Sequence, residues 1–128
     1  MKISFLNKKV LVVGSSKGIG KGVVDSFDKL GATIYKISRS NGVDISDKNS
    51  IDVFFDALTE IDFLINVAGI NHCKKIEDIE FDEWDSVLNT NLRSFYYIIK
   101  KSIPLMKPGS RIVNVSSIAG RNKSIVSG

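Results

Sequence analysis

Val10-Leu11-Val12-Val13-Gly14-Ser15-Ser16-Lys17-Gly18-Ile19-Gly20 is the stretch that decides the fold. Its apolar, mostly β-branched opening reads as a strand, Val10 to Val13, and the periodicity from Ile19 to Leu30 reads as a helix. The glycines stand where the strand must hand over to the helix. Gly14 lets the chain turn sharply, while Gly18 and Gly20 remove side chains that would hold a phosphate, or the neighbouring strand, away from the backbone. Free N–H groups and the helix dipole attract an anion there. Gly14, Ser15, Ser16, Lys17, Gly18, Ile19 and Gly20 are therefore candidate phosphate-binding residues. Glycines at this spacing are a weak signal alone, and the strand-turn-helix context is what points to a nucleotide.

Working outward, the same grammar repeats: a strand over Thr33 to Ile37, a helix from about Ser50 to Leu58, a strand over Phe63 to Asn66, a helix from about Glu83 to Leu105, and a strand over Ile112 to Val115. Alternating βα units with continuously apolar strands predict an α/β fold, a Rossmann-like doubly wound parallel sheet with helices on both faces, forming one domain over residues 1–128. Gly31 ends the first helix, Asp47 or Ser46 caps the second, and Pro104 and Pro108 with Gly109 close the last. Between Ile37 and Asp44 the connection is too short for an ordinary crossover, so Val43 to Ile45 reads equally as a short edge strand or as plain extended chain.

Composition narrows the class. Of 128 residues 43% are apolar, enough for a globular core, and the net charge of +4 comes from basic residues scattered singly or in pairs, so no nucleic-acid surface is expected. Cys73 is the only cysteine, which excludes an intramolecular disulfide, a zinc ribbon and a redox pair, and fits a reducing cytoplasm. The N-terminal apolar stretch is too brief for a secretory signal and no run is long enough to span a bilayer, so a soluble chain without a membrane partner is expected.

Four spaced pieces join the glycine turn: Asp44-Ile45, Asn66-Val67-Ala68-Gly69, Asn91 in Asn89-Thr90-Asn91-Leu92, and Ser116-Ser117 after Ile112-Val113-Asn114-Val115. Together, and over nearly the whole chain, they resemble the short-chain dehydrogenase/reductase family. Val13 stands where that family's turn has threonine, at the loss of one hydrogen bond, and Val67 stands in place of the second asparagine of Asn-Asn-Ala-Gly. The resemblance implies that Asn66, Ala68 and Gly69 lie along a dinucleotide, with Gly69 keeping backbone close to its ribose, and that Asp44 and Ile45 sit beside the adenine. An acidic residue at the end of the second strand would select NAD(H); here Ser38 holds that place with Arg39 next, and Lys17 adds a second cation. NADP(H) is thus expected as the preferred cofactor, with NAD(H) as the alternative.

For catalysis the resemblance implies Ser117 as the hydroxyl that polarises a substrate oxygen and Asn91 as the helix residue whose backbone holds a proton-relay water. A tyrosine acid and a lysine four residues later complete that set. Tyr-x-x-x-Lys is expected about a dozen residues after the serine, and the chain ends at Gly128 just short of it. Tyr96 and Lys100 spell the motif but precede Ser117, and read as helix packing with a snorkelling lysine. His72, with no carboxylate at a meaningful spacing, reads as a loop histidine, and Cys73 as unremarkable.

The expectation is therefore the cofactor-binding portion of an oxidoreductase that interconverts a ketone or aldehyde and an alcohol, incomplete at its C-terminal side. The alternative is a non-catalytic dinucleotide-binding remnant. Family members carry a further helix beside the long one and two more strands. Lacking these, Ile112 to Val115 becomes an edge, and Trp84, Val87, Leu88, Leu92, Phe95, Ile99 and Ile103 lose a covering element, which predicts self-association through the edge strand and the long helix.

Overall fold

The computed structural model describes residues 3–121. Four strands, β1 (Lys9–Val13), β2 (Thr33–Ile37), β3 (Phe63–Asn66) and β4 (Arg111–Asn114), form one sheet in the order β2-β1-β3-β4. All three pairings are parallel. Between them run α1 (Gly18–Lys29), α2 (Lys48–Asp56), α3 (Phe81–Leu88) and α4 (Ser94–Ser102). This is the Rossmann-like parallel sheet expected from the alternation of elements.

Period-two alternation sorts the strands between two cores. Leu11, Val13, Ile37 and Leu64 face α2 and α4 through Ile51, Phe55 and Ile98. Val10, Val12 and Ile65 face α1 through Val23, Val24 and Phe27. Residues Val10 to Val13 are wholly buried, as continuous apolar runs in a doubly covered parallel sheet should be. The long helix approaches the sheet through small residues: Thr90, just before α4, and Ser94 and Ser102 within it are buried beside Ile98. The two serine hydroxyls donate back to the carbonyls of Thr90 and Ile98, which removes the cost of burying them.

Several boundaries differ from the sequence expectation, each for a local reason. The second helix begins at Lys48 because Asp47 caps it, accepting from the Asn49 N–H at 3.0 Å, whereas Ser46 is occupied with Asp44. The long helix begins at Phe81, behind a reciprocal capping box between Glu80 and Glu83, and ends in a 3-10 turn, Ile103–Leu105, that carries Pro104. In the middle it opens into a π-helical turn over Asn89–Arg93. Val43 to Ile45 form no strand. A 3-10 turn over Arg39–Asn41 is reversed by Gly42 at φ 78°, after which Val43 drops into the core as an apolar anchor. The chain has no room there for a crossover helix, so β2 is the outer strand on that side.

Asp52 ties α2 to the long helix. It accepts from Tyr97 Oη at 2.6 Å and pairs with Lys48 at 2.6 Å and Lys101 at 2.9 Å. These three donors, led by Lys48, hold its carboxyl well below the usual range. No helix among the described residues is long and apolar enough to cross a membrane.

Candidate nucleotide-binding cavity

The ends of three adjacent strands are laced together by main-chain bonds. Gly14 N–H donates to Ile37 O at 2.8 Å, closing the β1 turn onto β2, and Val67 and Ala68 N–H donate to Val13 O at 2.9 and 3.0 Å, closing β3 onto β1. That contact leaves no space beside Gly14: at φ +89° a Cβ there would lie 2.6 Å from Ala68 N. Gly20 is equally constrained, since its Cβ would stand 1.9 Å from Gly14 O. Thus Gly14 and Gly20 permit the turn to close on itself and on β3. Gly18, at φ +54° with nothing within 4 Å, faces open space.

In front of this turn lies a cavity of about 550 Å³. Gly14, Ser16, Lys17, Gly18, Ile19 and Gly20 form its mouth, Ser38 and Arg39 one side, and Ala68 and Gly69 the other, with Ile45 contributing an apolar wall. The first α-helical bond runs from Lys21 N–H to Lys17 O, so the N–H groups of Gly18, Ile19 and Gly20 have no helical partner. Lys17 and Arg39 are the charged residues of the lining, which contains no carboxylate. The arrangement suits an elongated anion with an apolar end: amides and helix dipole at the mouth, cations at one side, aliphatic walls beyond.

Five predicted site residues lie elsewhere. Ser15 is buried, its hydroxyl donating to Ile37 O at 3.3 Å. Asp44 turns to Ser46, whose hydroxyl and N–H both donate to it; these bonds, the hydroxyl first, lower its carboxyl pKa. Asn66 is fully buried and donates to Asn114 Oδ1 at 2.7 Å, making a side-chain bridge between the ends of β3 and β4 instead of a cavity wall. Asn91 clamps the loop beyond Gly69, its amide accepting from Ile70 N–H and donating to Ile70 O, each at 2.8 Å. A Cβ on Gly69 would meet that same Asn91 amide at 3.5 Å, ordinary contact distance. Ser117 is exposed and its Oγ accepts from Ala119 N–H at 3.1 Å, capping the turn Ile118–Gly120.

Sequence reasoning missed Ile37, Val43, Val67, Ile70 and Thr90, which also line the cavity. Ile37 and Val67 adjoin recognised motif residues at strand ends, so position signalled them; Val43 and Thr90 are brought in by the short connection and by the π turn. Tyr96 is exposed, not packed as expected, while Lys100 is exposed beside it. His72 meets Ser86 Oγ at 3.1 Å beside a separate small cavity bordered by Cys73 and Trp84. Among the described residues no group of three potential metal ligands occurs.

A family model described as enoyl-(acyl carrier protein) reductase matches residues 39–125. Dehydrogenase/reductase SDR family member 6 of Aquarana catesbeiana is 33% identical, over 94% of this chain and 57% of its own. The ligand-free aldohexose dehydrogenase of Thermoplasma acidophilum is 30% identical with a TM-score of 0.84, over 96% of this chain and 54% of that one. The 3-ketoacyl-(acyl-carrier-protein) reductase of Brucella melitensis, solved with NADH, is 28% identical with a TM-score of 0.87, over 96% of this chain and 63% of that one. The chain thus spans little more than half the length of these relatives.

Proposed function

Because the chain belongs to the short-chain dehydrogenase/reductase family, we propose that it forms the dinucleotide-binding part of an NADP(H)-dependent oxidoreductase that interconverts a ketone or aldehyde and an alcohol. The observation that carries the cofactor choice is the placing of Lys17 and Arg39 on one carboxylate-free cavity. A 2′-phosphate would meet two cations there and no repelling anion. Ser38, where an acidic residue would select NAD(H), is held by Ser40 and Asn41. The bound nicotinamide would supply or accept the hydride.

This chain's residues do the rest of the work assigned to it. The N–H groups of Gly18, Ile19 and Gly20 would hold the pyrophosphate, Ile45 and Val43 would shelter the adenine, and Ala68 and Gly69 would border the ribose. Ser117 accepts one bond through Oγ from Ala119, which leaves its hydroxyl proton to donate to the substrate oxygen. Asn91 positions the Ile70 loop through its amide and offers its main chain to a relay water in a π turn, a distortion common at functional sites. The general acid and its lysine are assigned to a Tyr-x-x-x-Lys that the 128 residues do not contain after Ser117. An exposed, free Cys73 accords with a reducing cytoplasm.

The test is a titration with NADPH and with NADH, followed by nicotinamide fluorescence because Trp84 lies outside the cavity. NADPH is expected to bind at least about tenfold more tightly, and Arg39→Ala or Lys17→Ala to narrow the gap. NADH binding as tightly would overturn the NADP(H) assignment. Failure of both dinucleotides to bind a cooperatively melting chain would overturn the proposed role itself.

A further inference from the structure

Asn41-Gly42 is the single Asn-Gly pair of the sequence, and it stands in the short turn after β2, on the Ser38 and Arg39 side of the dinucleotide cavity. Glycine after asparagine leaves the following amide nitrogen unshielded, because no Cβ keeps it from the side-chain carbonyl carbon. Both residues are exposed, and a Cβ on Gly42, at φ +78°, would meet nothing within 4 Å. A five-membered ring closing across this peptide therefore has room on its outer side.

The hydrogen bonds of the turn act on such a closure in two directions. Asn41 Oδ1 accepts from Ser38 Oγ, which in turn receives the Ser40 hydroxyl at 2.9 Å. A donor on that oxygen draws charge from the amide carbon and stabilises the oxyanion formed when nitrogen adds to it. Against this, the Gly42 N–H donates to Arg39 O at 3.0 Å and must be released before it attacks. Two further main-chain bonds, from Asn41 N–H and Val43 N–H to Ser38 O, close the turn, so its release is a local opening that leaves the sheet intact.

We propose that Asn41 is a deamidation site whose conversion turns the phosphate-accepting side of the cavity into a phosphate-repelling one; the consequence for the cofactor rests on the NADP(H) assignment. The Gly42 nitrogen bonds to Asn41 Cγ and passes its proton through water to the side-chain nitrogen, which leaves as ammonia. One water then opens the cyclic imide at either carbonyl, giving aspartate or, with a methylene added to the main chain, isoaspartate. Nothing is oxidised or reduced. Either product adds a negative charge within the turn that carries Ser38 and Arg39, where an acidic group disfavours a 2′-phosphate.

The native full chain is incubated at neutral and at mildly alkaline pH, digested, and read by peptide mass spectrometry. Conversion at Asn41 is expected to outpace that at the exposed Asn49 and Asn71 at least about tenfold and to quicken with pH, since the attacking nitrogen must lose its proton. In dinucleotide titrations, NADPH affinity should fall at least about tenfold for Asn41→Asp, and in step with conversion for the aged chain, while NADH affinity changes less. Asn41→Gln, which would have to close a larger ring, should keep its starting NADPH affinity through the same incubation. Comparable conversion at the three asparagines, or an Asn41 that converts in urea but survives in the native chain, would overturn the proposal. So would an Asn41→Asp chain that melts like the wild type and binds NADPH equally tightly. A fresh chain that binds neither dinucleotide would strike the proposed function and, with it, the cofactor consequence; the deamidation itself is read from the mass spectrum without any ligand.

Discussion

The strands β1 and β4 are written in the same alphabet and live in different surroundings. Lys9-Val10-Leu11-Val12-Val13 is flanked by β2 and β3 and covered on both faces, and its last four residues are buried. Arg111-Ile112-Val113-Asn114 pairs, among the described residues, with β3 alone, and every residue of it is exposed. The long helix changes in the same direction: Thr90, Ser94, Ile98 and Ser102 are sealed against the sheet, whereas Trp84, Leu88, Leu92 and Ile103 present apolar side chains to solvent. An apolar run therefore declares that a strand is meant to be covered, and only its neighbours determine whether it is. Among the described residues, the apolar side chains around the glycine turn are covered and those along β4 are not.

The largest expected effect tests how tightly the covered region around the glycine turn is closed. Gly20→Val would drive a side chain into Gly14 O and should cost roughly 3 kcal/mol or more in urea unfolding. Gly22→Ala, two residues on with nothing within 4 Å, should instead stabilise α1 by about 0.5–1 kcal/mol. Similar losses at both positions would show that the turn's steric closure is not what matters.

Next comes the contrast between strands. Leu11→Ala removes a wholly buried side chain and should cost about 2–5 kcal/mol. Ile112, 37% exposed, should cost about 1 kcal/mol or less when cut to alanine. Equal losses, measured alongside sedimentation, would mean that β4 is covered in solution, as self-association through this edge would require.

The smallest effect concerns the ends of the strands away from the cavity. Lys107 first, and then Lys9, hold Glu60 down to about 2 from its ordinary 4.5, with N–O separations of 2.7 and 3.0 Å. A depressed carboxyl contributes stability that is present above pH 4.5 and is lost as pH falls toward 2. Melting temperatures across that window should fall more steeply for the wild type than for Glu60→Gln. Because Glu60 links the start of β1 to the loop before β4, identical slopes would uncouple the two regions.

Much of this was legible from residues alone, since local rules were enough. The glycine turn, the order of strands and helices, and the two cations near the second strand follow from apolar periodicity, backbone freedom and charge. Asn66, Asn91 and Ser117 were legible as residues but not as contacts: one bridges two strands, one clamps Ile70, one caps a turn. Each partner lies in another element or depends on a turn whose shape the flanking residues do not specify. Thr90 and Val43 were missed for a related reason, because a π turn and a shortened connection change the direction a side chain takes without changing composition.

What the amino-acid order determined by itself was a parallel α/β sheet with an anion-receptive turn at the end of its first strand, because strand, glycine and helix signals are local and the dipole follows from the helix. What tertiary structure alone decided was which apolar residues are buried, and that Asn66 bridges two strands and Asn91 clamps Ile70 instead of lining the cavity. Burial and pairing are properties of neighbours distant in sequence, and those become known only when the chain is folded.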